Sequence, residues 1–237
     1  MSFNTSKCQH LPITNKRNPI KSDYSLHNQR LETVKDVKYL GVNLNEKLNW
    51  SNHIDNICKK ANSSSAFFCR NLRGTSRSTK RTAFVTISRP VLEFASACWD
   101  PASSVLKDKI EIVQRRTARR IYSNFNKDCS PSALLKDLDL PSLKARRKAS
   151  KINLVSKIMN GESIVINSSD YLQINNRFTR GHQQKLKHLQ CRTSLYANTF
   201  YPSAIREWNT LPANLIENKS KPTFKENVRK HFSQIEV

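Results

Sequence analysis

The sequence predicts a mainly helical α+β chain. Strand-like alternation is confined to the first 50 residues. Across 51–160, apolar residues recur at three- and four-residue spacing, the mark of helices packed on one side. Beyond 160 the periodicity fades while basic residues continue, and only short helical patterns return near the end. These shifts divide the chain into regions 1–50, 51–160 and 161–237.

Residues 9–14 form the first candidate strand. Residues 23–34 are expected to make a hairpin with His27 and Asn28 at its turn. Residues 37–44 are expected to be a further strand, with Leu40, Val42 and Leu44 alternating onto one face. Ser51 is the predicted N-cap of a helix whose inward stripe is Ile54, Ile57, Ala61, Ser65, Phe68 and Leu72, stopped at Gly74. A second helix is expected over 78–99, with Phe84, Ile87, Val91, Leu92 and Ala95 inward and a kink or split at Pro90. The third, over 104–122, carries the stripe Leu106, Ile110, Val113, Thr117 and Ile121. A short helix at 132–138 precedes a long one, which Pro141 opens and Gly161 ends. Ala145, Ala149, Ile152, Val155 and Met159 are its inward residues. Residues 163–199 suggest a long loop or an arm ordered on binding. Helices at 203–209 and 222–232 close the chain.

Charge narrows the function. Lys and Arg number 41 against 18 Asp and Glu, a net charge of +23. Such an excess points to a polyanionic partner, because neutralising phosphates releases counterions. No run of about 18 apolar residues is present, so no membrane partner is expected. The first ten residues lack the apolar core of a signal peptide, so the expected location is intracellular, nuclear or cytoplasmic, with reduced cysteines. No Cys-x-x-Cys pair occurs, and the nearby His182, His188 and Cys191 read as ordinary loop residues, so no metal site is expected.

The basic residues are concentrated. On the third helix Arg115, Arg116, Arg119 and Arg120 fall at roughly 0, 100, 40 and 140 degrees around the axis, one broad face largely separate from the apolar stripe. The long helix repeats this with Lys144, Arg146, Arg147, Lys148 and Lys151. Over 107–157 there are fourteen basic residues against five acids. A solvated helix face usually mixes signs, so this bias predicts phosphate contacts, which position a duplex without reading its sequence. Catalytic patterns are missing. No Asp-Asp pair occurs, and there is no nucleophile elbow, Walker loop or metalloprotease helix.

Several motifs follow one another in order: FNTSKC (3–8), YSLHNQRLETVKDVKYLGVNLNEKLNWSNHI (24–54), RPVLEFASACWDP (89–101), VQRRTARRI (113–121), TRGHQQKL (179–186) and FYPSAIREWNTLP (200–212). Together they resemble the C-terminal part of the reverse transcriptase of jockey-like non-long-terminal-repeat retrotransposons, over most of the chain. Phe94 departs from the tyrosine usual in such relatives. The resemblance implies a palm remnant at 1–50, a helical thumb at 51–160 and a basic C-terminal region at 161–237. It implies that Tyr39, Leu40, Gly41 and Val42 form a primer-grip hairpin, where Gly41 lets the backbone turn and approach the primer. It places Lys7 near the incoming nucleotide and Trp50 between palm and thumb. The implied partner is an RNA or DNA template–primer duplex. In relatives the paired aspartates that hold Mg²⁺ precede FNTSKC, so this chain is expected to be a truncated, polymerase-inactive piece without a cofactor of its own. The alternatives are a domesticated protein-interaction module and a non-functional remnant of a truncated element.

Overall fold

The computed structural model describes residues 3–126, 128–163, 167–176, 181–217 and 221–235. The chain forms two compact units, Met1–Lys59 and Lys60–Val237. It is mainly helical, with six short strands among the described residues.

The first unit holds a 3₁₀ turn, Thr5–Lys7, and strands β1 (Gln9–His10), β2 (Ser25–Leu26), β3 (Gln29–Arg30), β4 (Glu32–Thr33), β5 (Asp36–Tyr39) and β6 (Val42–Asn45). They pair two by two: β1 with β4 in parallel, and β2 with β3 and β5 with β6 antiparallel. The predicted turn at His27 and Asn28 is present, with φ of 49° and 59°, the geometry of a two-residue hairpin. The predicted strand at 9–14 shrinks to β1, because Pro12 has no N–H to give a ladder.

The expected single strand over 37–44 is instead a hairpin. Tyr39 faces Val42 across β5 and β6, and Leu40 and Gly41 make the turn at φ 45° and 89°. The two-residue turn shifts the face parity: Val37 and Tyr39 lie across from Leu44 and Val42, residues that a continuous strand would put on the opposite face. Leu40, Val42 and Leu44 therefore do not share one face of one strand. Val42 is buried, whereas Leu40 stands at the tip, 76% exposed.

Helix α1 (Ser51–Asn71) follows. Ser51 is its first residue and not its cap: the Asn49 carboxamide accepts the Ser51 N–H at 2.8 Å. The predicted stripe is buried from Ile54 to Phe68, with Leu72 half-buried.

In the second unit, α2 (Arg77–Ala83), capped by Ser76, runs into a π-helical turn at Phe84–Ser88 and then α3 (Arg89–Glu93). Pro90 lies in the first turn of α3, and the wider π turn lets the chain pass it without a break. The break comes at Phe94 and Ala95, where Ala95 takes φ 51°, before α4 (Ser96–Trp99). The π turn also rotates the buried stripe. Ile87, expected inward, is 51% exposed, and Ser88 is buried in its place. There Ser88 meets the hydroxyls of Ser64 and Ser65 at 2.7 and 3.0 Å.

Helices α5 (Ser104–Tyr122), α6 (Pro131–Asp137) and α7 (Leu143–Met159) come next. Ser142 caps α7 by accepting the Ala145 N–H, so that helix starts two residues past Pro141. The remaining helices are α8 (Ser168–Tyr171), α9 (Ser194–Ala197), α10 (Phe200–Asn209), α11 (Ala213–Glu217) and α12 (Lys221–Ile235). One apolar cluster joins Phe68, Phe84, Ala118, Ile121 and Leu134. Another joins Ile152 and Val155 of α7 with Ile205 and Trp208 of α10 and Val228 and Phe232 of α12. The C-terminal helices thus share the core of α7 and do not stand apart after residue 160. Part of the aperiodic segment is pinned as well. Leu186 is fully buried, and Trp208 Nε1 donates to the Gln184 carbonyl at 2.8 Å.

Candidate nucleic-acid interface

The arginine face of α5 follows from its stripe. Ile110, Val113, Thr117 and Ile121 are buried, which turns Arg115 and Arg116 to solvent. Arg119 and Arg120 sit at the edge, half-buried. Arg120 Nη1 donates to the Asn62 carbonyl at 3.3 Å, and the Nε of Arg119 is buried without a hydrogen-bond partner. The four arginines do share a side of the helix, but only two are free of the fold.

The α7 residues behave differently, because α7 packs against α4, α5, α10 and α12. Arg147 and Lys151, predicted on a phosphate-facing surface, are buried at 1% and 3% exposure. Arg147 Nε and Lys151 Nζ bind the two oxygens of Asp100 at 2.9 and 3.0 Å. Burial pushes the Asp100 carboxyl upward. The charges and hydrogen bonds of Lys151 and Arg147 outweigh that and hold it below its ordinary value. Lys151 also lies 3.6 Å from Glu207, whose carboxyl burial pushes up. Arg146 is held by both oxygens of Glu93, and Arg89 lies 3.9 Å from the same carboxylate. Lys144 gives its backbone N–H to buried Glu111 at 2.8 Å, a carboxyl raised chiefly by desolvation. The ammonium of Lys148 lies 5.9 Å from the Phe232 ring centre.

The charge bias along 107–157 is therefore partly answered through space. Glu93, Asp100 and Glu207 all lie outside that window, and nothing in the local sequence marks them as its counterions.

In the first unit Lys7 is exposed at the end of the 3₁₀ turn. Tyr39 is 64% exposed, Gly41 is exposed beside Leu40, and Val42 points inward. The hairpin thus offers backbone and two large side chains at its tip.

Asp139 is paired with Arg81 at 2.9 Å. His182 is buried, with Nε2 3.1 Å from the Trp208 carbonyl, as a core histidine. Among the described residues no three His, Cys, Asp or Glu side chains lie close enough together to share a metal ion. All six cysteines are free thiols. No helix among the described residues is long and apolar enough to cross a membrane. Comparison with known proteins finds no matching family model, no matching curated protein and no matching solved structure.

Proposed function

We propose that this chain is a nucleic-acid-binding piece of an RNA-directed DNA polymerase of the jockey-like non-long-terminal-repeat retrotransposon type. The ordered motifs support that family. The observation that carries binding is the exposed pair Arg115 and Arg116 on α5, in a chain of net charge +23. Their partner is the phosphate backbone of a template–primer duplex, with Arg119 and Arg120 beside them. Lys7 and the hairpin Tyr39, Leu40, Gly41 and Val42 would meet the primer strand. The sequence has no paired aspartates to hold Mg²⁺, so no primer extension is expected from this chain by itself.

The test is the salt dependence of duplex binding. Removing one arginine–phosphate pairing should reduce the slope of log K against log salt by about 0.9. Replacing Arg115 and Arg116 with glutamine keeps helix propensity and touches no buried residue. The slope should shrink by roughly 2, to the same extent on unrelated sequences. Extending the change to Arg119 and Arg120 should bring the total to no more than roughly 4. An unchanged slope in a folded double variant would remove α5 as the binding face. The exposed Tyr39 and Leu40 would then favour the protein-interaction module instead.

A further inference from the structure

A cleft of about 410 Å³ opens in the second unit, lined by α7, α12 and the segment around α3 and α4. That volume is in the range of small-ligand sites, about 300–1,000 Å³. Along α7 and at its C-cap the lining residues include Arg146, Ser150, Asn153, Lys157 and Asn160, spaced so that they fall on one helical stripe. It runs beside the apolar stripe of Ile152 and Val155 and is mainly polar, with Leu154 as its apolar member. On α12 the lining pair is Lys225 and Arg229, one turn apart. Like charges at that spacing repel. Neither they nor Lys157 forms an ion pair among the described residues, whereas their neighbour Lys230 is paired with Glu226. The walls also carry Glu93, engaged by Arg146, and Glu162. Four cations against two carboxylates leave a net charge of +2. Arg89 sits behind Glu93, and its own pKa is lowered, first by burial and then by the charge of Arg146, with Arg229 adding to it.

We propose that this cleft binds a phosphate monoester carried by a nucleotide, either a free mononucleotide or the phosphorylated end of a nucleic-acid strand. A phosphate monoester carries about −1.5 to −2 charges at neutral pH, which matches the walls. A diester inside a strand carries a single charge and would leave the lysine–arginine pair under-neutralised. Arg229 supplies a planar fork for phosphate oxygens and Lys225 a point charge. The side chains of Ser150, Asn153 and Asn160 offer donors and acceptors to sugar and base edges, and buried Phe224 gives an apolar wall. The site shares no residue with the α5 arginine face and does not depend on it.

The experiment measures binding of one six-nucleotide single strand in 5′-phosphate and 5′-hydroxyl forms, at fixed salt. The phosphorylated strand should bind about tenfold more tightly, the size of one charge-assisted hydrogen bond. The double variant K225Q/R229Q changes two residues at the cleft wall and should bring that ratio to one. The variant R115Q/R116Q should weaken both strands and leave the ratio in place. Competition by AMP but not adenosine would assign the site to free nucleotide. Competition only by the phosphorylated strand would assign it to strand ends. A ratio of one in the unaltered protein, or a ratio that survives K225Q/R229Q, overturns the proposal.

Discussion

At Asp100 a single carboxylate meets two buried cations, Arg147 and Lys151. Its removal would leave both charges in the core with no ionised partner of comparable geometry. Asp100→Ala should therefore cost about 3–5 kcal/mol, read as a fall in the denaturation midpoint with unchanged slope. A loss under about 1 kcal/mol would mean that the pair is far more hydrated than its burial implies. The acids around it also give the helical unit a pH signature. Glu207 and Glu111 have folded pKa values raised above 4.5, so the folded state holds their protons more tightly than the unfolded chain does. Their contribution is complete below the unfolded value and is lost as pH rises through the folded one. Asp100 is the reverse. Its contribution is present above 3.8 and is lost as pH falls through its lowered folded value. The contribution of these two acids should grow as pH drops from neutrality toward 4.5, offset in part by His231, whose burial lowers its value from 6.5 and makes its protonation unfavourable to the fold. The difference in thermal midpoint between the parent protein and Glu207→Gln should therefore change with pH in that window; a difference independent of pH would assign the effect to other groups.

At the scale of elements, the β5–β6 hairpin rests on Gly41. Its φ of 89° is open to glycine and costly for a side chain branched at Cβ, and Leu40 already carries a positive φ next to it. Gly41→Val should cost about 1–2 kcal/mol locally. The cross-strand proximity of Tyr39 and Val42 should weaken in NMR spectra while signals of α5 and α7 stay in place. Its retention would show that the turn tolerates the branch. The π turn makes a similar point in a helix. One residue too many in a turn moves Ile87 out and Ser88 in, and Ser88 then completes a hydroxyl chain with Ser65 and Thr117. An apolar stripe extrapolated at 3.6 residues per turn cannot anticipate that shift, because it assumes an unbroken hydrogen-bond register.

For the molecule as a whole, the two units differ in how much they bury. The first has three separate two-stranded sheets and leaves Phe3, Ile20, Tyr39 and Leu40 largely exposed. Two-stranded sheets are marginal in water unless a further layer covers them. The second unit holds buried clusters that include Phe84 and Trp208, and Trp99 is fully buried as well. Limited proteolysis should cut within the first 50 residues and leave a helical core that includes α12. First cuts inside α5 or α7 would contradict this ordering of stability. Lys and Arg exceed Asp and Glu by 23, so the ordering should be sharper at moderate salt, where self-repulsion is screened.

The helix order, the span of α5 and the separation of its arginines from its apolar stripe are legible in the sequence, because helical period is a property of neighbours in the chain. The hairpin at His27 and Asn28 is legible for the same reason. Other features are decided only by the tertiary structure. Arg147 and Asp100 are 47 residues apart, and Arg146 and Glu93 are 53 apart. Which cations are neutralised inside the fold depends on such meetings, and no local window contains them. The α7 basic residues therefore read as a second phosphate surface in the sequence, while packing against α4, α10 and α12 buries two of them and pairs a third. Burial selects among charges by what faces them across the core, and that choice is made through space.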